Sequence, residues 1–373
     1  MDIGVPTEIK NQEKRVGLLP MAVKELRRHG HEILVQAGAG TGVGASDDDY
    51  RAAGAKIADD AAAVYANSTM IVKVKEPQSS EYALLRDTHI LFTYLHLAAD
   101  KELTKALIDS GTTAVAYETI TAPDGGLPLL KPMSEVAGRM SIQAGAFALQ
   151  ASKGGQGILL GGAAGVAAGE VLIIGGGVVG TNAAKMALGL GARVTIADKS
   201  LERLVALDDS FGGRLNTVYA TADAIGEWSE RADMVIGAVL VPGAAAPKLI
   251  TRPMLRGMKP GAVLVDVAID QGGCFETSRA TTHDDPTYLV DGIVHYCVAN
   301  MPGGVPKTST YALNNATLPY IEKLASADFG TLISHDPHIT AGLNVRHGQV
   351  THPAVAAAFE TDCVDPGQTL RAA

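Results

Sequence analysis

The chain has 373 residues, 47% hydrophobic and 19% charged, enough to bury one large core or two moderate ones, and two domains is the expectation. Forty acidic residues against 31 Lys and Arg give a formal net charge of -9. That balance opposes general attraction to nucleic acid or to an anionic membrane surface and leaves small-molecule chemistry as the leading class.

The amino terminus, "MDIGVPTEIK", has no basic stretch followed by an apolar core, so no secretory signal is expected there and the cytoplasm is the expected location. Short apolar runs then alternate with amphipathic stretches, the pattern of an α/β fold with a mainly parallel sheet. Strands are expected in "HEILVQAG", "MIVKVKE", "HILFTYLHL" and "TTAVAYET", and helices in "PMAVKELRRHG" and "KELTKALIDSG". In "IVKVKEP", Ile71 to Pro77, alternation puts Lys73 and Lys75 on one face of an apolar strand. That face is either solvated or has a use for positive charge.

The turn-rich loop "TAPDGGLPLLKPMS", Thr121 to Ser134, suits a domain crossing, and Ser134 is the expected N-cap of a long helix over "SEVAGRMSIQAGAFALQ". The stretch Gly157 to Gly180 has the length of a membrane span, but its many glycines and Glu170 argue against a helix there. From Glu170 a second series of strands follows: "EVLIIG", "ARVTIAD", "ADMVIGAVL", "GAVLVDVAID" and "GIVHYCVANM". Their low internal polarity fits strands covered on both faces. The tail from "KTSTYALNNATLPYIEKLA" onward reads as helical. Cys274, Cys297 and Cys363, widely spaced, read as free thiols with neither a zinc site nor a disulfide framework.

"VLIIGGGVVGTNAAKMALGLGARVTIAD" accounts for the glycines. Gly175, Gly177 and Gly180 have the Gly-x-Gly-x-x-Gly spacing between a strand and a helix, and Asp198 ends the next strand eighteen residues past Gly180. The first glycine permits a tight turn, the second close approach of backbone to a pyrophosphate, the third close helix packing, with helix amides facing the phosphates. An acid at Asp198 accepts from ribose hydroxyls and repels a 2′-phosphate, favouring NAD, although Lys199 and Arg203 leave NADP open.

Ligands of open parallel sheets bind beyond the carboxyl ends of the strands. In the second half these ends carry Val239, Leu240, Asp270, Asn300 and Met301; for Asp270 an Asx-turn or cap and a role in catalysis are both open. In the first half they carry Arg15, Lys75, His96 and Glu118. A buried structural histidine and a snorkelling lysine are the plain alternatives. Two cations and a histidine together suit a small carboxylate substrate whose reacting carbon needs a general acid or base.

The sequence resembles the NAD-dependent L-alanine dehydrogenases through "GVPTEIKNQEKRVGLLP", "KVKEP", "LFTYLHLA", "PLLKPMSEVAGRMS", "LIIGGGVVGTNAAKMALGLGA", "MKPGAVLVDVAIDQGGCFETSRATTHDDPTY" and "YCVANMPGGVPKTSTYALNNAT". The resemblance implies an α/β protein of two domains, a Rossmann-type doubly wound parallel sheet inserted in a second α/β substrate domain. Residues 1-128 and 308-373 would form the substrate domain and 129-307 the NAD-binding domain, with the reaction in the cleft between them.

It further implies that Arg15 pairs with the substrate carboxylate, that Lys75 binds the carboxylate or carbonyl oxygen, that His96 moves protons and activates water, and that Asp270 handles the amino group. Tyr94, Glu118, Met133 and Asn300 match substrate-lining positions. Ser134, Val178, Val179, Asp198, Arg203, Val239, Leu240, Val267, Ala268, Ile269, Asp270, Arg279, Val298, Ala299, Asn300 and Met301 match cofactor-side positions. The implied reaction is hydride transfer from L-alanine to NAD, then hydrolysis to pyruvate and ammonia, in a homohexamer.

The chain departs from the family at Ala220, where a serine is frequent, in "GGAAGV", Gly161 to Val166, where a proline is common, and at Lys323 and Ala327, which replace a carboxylate and histidine pair; no metal is expected. Three rivals remain: a transhydrogenase NAD-binding subunit, whose membrane segments are absent from this sequence, a dehydrogenase of a larger amino acid, and a nucleotide-binding regulator without turnover.

Overall fold

The computed structural model describes residues 1–239 and 246–370. The chain divides into two compact units, one of residues 1–133 with 305–373 and one of residues 134–304, where turn chemistry and resemblance set the limits at 128/129 and 307/308.

The first unit opens with β1 (Asp2–Val5), β2 (Glu32–Gln36), β3 (Lys56–Ala58), β4 (Met70–Val72), β5 (Ile90–Thr93) and β6 (Thr113–Ala116), all parallel. The helix Pro20–Arg28 buries Ala22, Val23 and Leu26 and starts on a proline, whose missing N–H costs nothing in a first turn. Lys101–Ser110 is capped at its start by the Asp100 side chain and ended by left-handed Gly111.

The expected strand through Pro77 is shorter. β4 stops at Val72 because the N–H of Val74 donates to the Glu8 carboxylate at 2.6 Å instead of to a neighbouring strand. Nor do Lys73 and Lys75 share an open face, since Lys73 is fully buried and Lys75 half-buried.

The second unit holds β7 (Glu170–Ile174), β8 (Arg193–Asp198), β9 (Asn216–Tyr219), β10 (Met234–Gly237), β11 (Val263–Asp266), β12 (Thr287–Val290) and β13 (Ile293–Tyr296). Their order is β12-β13-β11-β10-β7-β8-β9, parallel except for β12. Ile173, Ile196, Ile236 and Val265 pack on one face, and Leu172, Ile174, Val235 and Leu264 on the other. Both faces are therefore covered, which is why these strands read as nearly unbroken apolar runs.

Two boundaries differ from the sequence expectation. The long helix spans Lys131–Ala148, so Ser134 lies inside its first turn and does not cap it; Pro132 is its second residue, in the first turn where a proline is tolerated. β11 ends at Asp266, leaving Asp270 on the short 3-10 turn Ile269–Gln271.

After the helix Pro306–Ser326 the chain adds β14 (Leu343–Arg346) and β15 (Gln349–Val350) to the first unit, where the tail had read as helical throughout. β14 runs antiparallel to β6, completing the order β15-β14-β6-β5-β4-β1-β2-β3. In both sheets the strand order reverses beside the first strand, between β1 and β4 and between β7 and β10. Such a reversal opens a crevice at the carboxyl edge where ligands bind.

Candidate active site

At the carboxyl edge of the first sheet, successive strands deliver the first-half candidates side by side: Arg15 from the segment after β1, Lys75 after β4, Tyr94 and His96 after β5, and Glu118 after β6. Arg15 is 2% exposed and held as a fork by Glu13, Nε donating to Oε1 at 2.7 Å and Nη2 to Oε2 at 2.6 Å. Its Nη1 lies 3.1 Å from the Met133 sulfur, placing Met133 beside it. Burial works against the charge, but the Glu13 hydrogen bonds and charge outweigh it and hold the guanidinium above its ordinary pKa. Glu13 carried no signal beyond being an acid two residues before a candidate cation.

Lys73, the first lysine of the apolar run, is committed to structure. Its Nζ donates to Glu81 at 3.0 Å and lies 3.4 Å from Glu8. Burial penalises its charge, yet the two carboxylates raise its pKa overall. Lys75, next but one along the chain, keeps its carbonyl bonded to the Thr93 hydroxyl at 3.0 Å.

His96 has a side chain 50% exposed and a left-handed backbone, φ +52°. That conformation costs an L residue about 1–2 kcal/mol. Glu118 offsets it, accepting from the N–H of Leu95 at 3.1 Å and of His96 at 2.5 Å, while its Oε1 lies 3.8 Å from His96 Nδ1. Glu118 therefore holds the backbone turn that presents the histidine. Tyr94 is buried, donates to the Leu129 carbonyl at 2.5 Å and stacks parallel to the His96 ring at 6.0 Å; burial pushes its pKa well up, keeping it a neutral donor.

In the second unit the glycine turn follows β7. Gly175 is left-handed at φ +103°, and a Cβ on Gly180 would stand 1.8 Å from the Gly175 carbonyl oxygen, so the helix Val178–Gly189 needs glycine there to pack on the turn. A Cβ on Gly177 would meet nothing within 4 Å. Asp198 closes β8 with Oδ2 accepting from Gly176 N–H at 2.6 Å and Oδ1 from Ser200 N–H at 2.8 Å. Arg203 donates from Nε to the Gly176 carbonyl and from Nη2 to Thr181, both at 2.6 Å. It braces the loop, which counts against its holding a 2′-phosphate.

Asp270 is exposed and accepts from Asn300 N–H at 3.2 Å; Asn300 is itself left-handed, φ +53°. Val239, Val267, Ala268, Ala299, Ser134 and Val179 are half-buried, Ile269, Val298 and Met301 are buried, and Val178 is exposed. Arg279 is exposed and lies over the Tyr288 ring at 4.0 Å. Leu240 lies outside the described residues. The buried acid of this region is Asp266, which accepts from the N–H groups of Ala268, Cys274 and Phe275 and ties the 267–278 loop to β11. Sequence reasoning passed over it because Asp270, not Asp266, closes the apolar run.

All three cysteines are free. Among the described residues no helix is long and apolar enough to cross a membrane. Glu25, His29 and Glu322 stand close together on the first unit.

A glycine-turn Rossmann unit, and a second α/β unit with paired cation and histidine chemistry along its strand ends, together define a dinucleotide-type oxidoreductase. Models of the alanine dehydrogenase/PNT family match its N-terminal domain at residues 4–137 and its C-terminal domain at 141–353. The chain belongs to that family. It is 60% identical to an alanine dehydrogenase of Halomonas elongata and 51% identical to one of Mycobacterium tuberculosis, each over 99% of this chain and 100% of the relative. A solved L-alanine dehydrogenase superposes with a TM-score of 0.94 at 51% identity, over 96% of this chain and 99% of that one. A transhydrogenase from Sinorhizobium meliloti gives 0.81 at 26% identity, over 95% and 100%.

Proposed function

We propose that this protein catalyses the reversible oxidative deamination of L-alanine to pyruvate and ammonia, with NAD as hydride acceptor. The observation that carries the reading is the buried Arg15 fork on the sheet edge that also presents Lys75 and His96. A guanidinium shielded from water and pre-set by Glu13 is suited to a small carboxylate.

The residues fit the cofactor. The open space over Gly177 and the amides of Val178 and Val179 suit a pyrophosphate, and Asp198 retains lone pairs for ribose hydroxyls. Arg203 is engaged with the loop, which supports NAD over NADP. When bound, NAD supplies the hydride acceptor.

The chain's own groups do the rest. Arg15 holds the alanine carboxylate, and Lys75 donates to the carboxylate or to the carbonyl oxygen that forms. His96, oriented by Glu118, takes a proton from the water that attacks the imino acid and returns it as the carbinolamine expels ammonia. Asp270 is assigned to the amino group, and Tyr94, Met133 and Asn300 shape the pocket. Residues 1–133 with 305–373 would be the substrate domain and 134–304 the NAD domain; the assembly is assigned as a homohexamer in the cytoplasm.

The test follows the near-ultraviolet absorbance of NADH with pyruvate and ammonium, each omitted in turn. Oxidation that needs all three components supports the reading. Oxidation with pyruvate alone would make the protein a 2-hydroxy acid-forming reductase, and no oxidation would favour a transhydrogenase-like nucleotide-binding role.

A further inference from the structure

Lys75 stands just past the last strand pairing, in which the Tyr94 N–H donates to the Val74 carbonyl at 3.3 Å, so no ladder bond of its own fixes where its side chain begins. Something else must. The N–H groups of Val74 and Lys75 converge on one oxygen of Glu8, at 2.6 and 3.3 Å, while the Lys75 carbonyl accepts from Thr93 on the neighbouring strand. The backbone of Lys75 is thus held on both sides.

The Glu8 carboxylate is itself fixed. Its other oxygen faces Lys73 Nζ at 3.4 Å, Lys73 donates to Glu81, and Glu81 accepts from the Tyr65 hydroxyl at 3.1 Å and the Gln78 N–H at 2.8 Å. Glu8, Lys73 and Glu81 are all buried. Burying these charges is costly, and apolar side chains of similar volume would fill the space without that cost. Their presence is explained by what they hold.

We propose that Glu8 is a positioning residue for the reaction, setting the place of Lys75 by gripping the backbone of residues 74 and 75 without touching substrate. This rests on the assignment of Lys75 to the substrate. Sequence reading had no access to it, because Glu8 and Lys75 are 67 residues apart and meet only where β1 and β4 lie side by side.

The experiment compares full-length Glu8→Asp, Glu8→Gln, Lys75→Ala and the Glu8→Asp/Lys75→Ala double variant, at saturating NADH and ammonium. Aspartate keeps the charge beside Lys73 but is one methylene too short to reach the Val74 N–H. Its kcat/KM for pyruvate is expected to fall by about 100-fold, the scale of an ångström misplacement at a reacting centre, with NADH affinity unchanged. On the Lys75→Ala background it should cause no further loss. Glutamine keeps an oxygen for the two N–H groups but turns its amide nitrogen toward Lys73 in place of the second oxygen, so stability should fall while its KM for pyruvate stays near wild type.

An equal loss from Glu8→Asp with and without Lys75, or wild-type kinetics in Glu8→Asp, overturns the proposal. Should the aspartate variant not fold, a KM in Glu8→Gln raised as far as in Lys75→Ala overturns it, since that would make Glu8 a mere counter-charge. Wild-type turnover in Lys75→Ala alone would instead strike down the role of Lys75, and the proposal with it.

Discussion

Glu13 grips Arg15 through both carboxylate oxygens, at 2.7 and 2.6 Å, in a place that is almost wholly shielded from water. The pair leaves the guanidinium's remaining N–H groups aimed in a fixed direction. Glu13→Gln would leave a buried cation with half its partner, and should lower unfolding stability by roughly 3–5 kcal/mol in urea titration. It should also raise the KM for pyruvate, because the fork is no longer pre-set. An unchanged unfolding midpoint would show that the pair does not hold this edge together.

Two glycines of the same turn should respond differently to alanine. At Gly180 the new methyl would collide with the Gly175 backbone, so NADH binding and stability of the unit should both fall. At Gly177 the protein alone offers room, so Gly177→Ala should melt like wild type and yet bind NADH more weakly, by fluorescence titration. Wild-type NADH affinity in Gly177→Ala would mean that the pyrophosphate does not lie over that residue.

His96→Ala should abolish turnover while NADH binding stays near wild type, since the histidine is assigned to proton transfer. Glu118→Ala should follow it part of the way: the side chain at position 96 remains, but the backbone bonds that hold its left-handed turn are gone. A loss of about 10²-fold in kcat is expected, from misplacement alone. Steady-state rates of Glu118→Ala indistinguishable from wild type would remove the orienting role.

Asp198→Ala takes away the acceptor of the Gly176 N–H as well as the proposed ribose contact. NADH should bind more weakly and the preference over NADPH should shrink. A preference ratio that does not move would leave the acid as a loop brace only.

Burial lowers the pKa of His89 and of His295, below the ordinary 6.5. Each already has one ring nitrogen facing a carbonyl, Tyr65 for His89 and Ile293 for His295, and the other facing a donor. The unfolded chain therefore takes up protons first as pH falls. This contribution to stability is whole above 6.5 and is lost as pH drops through the lowered folded-state values. Thermal midpoints should decline from neutral toward mildly acidic pH; a flat profile across that window would contradict the assignment of both rings as buried neutral groups.

The long parallel strands and the glycine turn were legible because their signal is local: apolar runs, helix starts and one short spacing. β1, β3, β9, β12, β14 and β15 were not, being short or edge strands, several of them half-exposed, with no periodicity to separate them from loops. Among site residues, Arg15, Lys75, His96 and Glu118 stood out as polar groups at strand ends. The partners of Arg15 and Lys75, Glu13 and Glu8, did not. Glu8 matters through a contact 66 residues away, and an acid in a turn-rich segment has no mark of that kind. The same limit misread Lys73, which alternation placed beside Lys75 and the fold turned inward onto two glutamates.

β14 is hydrogen-bonded to β6, yet all of residues 134–304 are synthesised between them. A nascent chain that has just completed its second unit still carries β6 as an uncovered sheet edge, and such edges invite pairing with other chains. The inserted unit, with contiguous sequence, can finish folding while the ribosome is still translating; the flanking unit closes only when its last strands emerge. Truncation or a stalled ribosome near the carboxyl terminus would therefore release a protein with one finished half and one adhesive half.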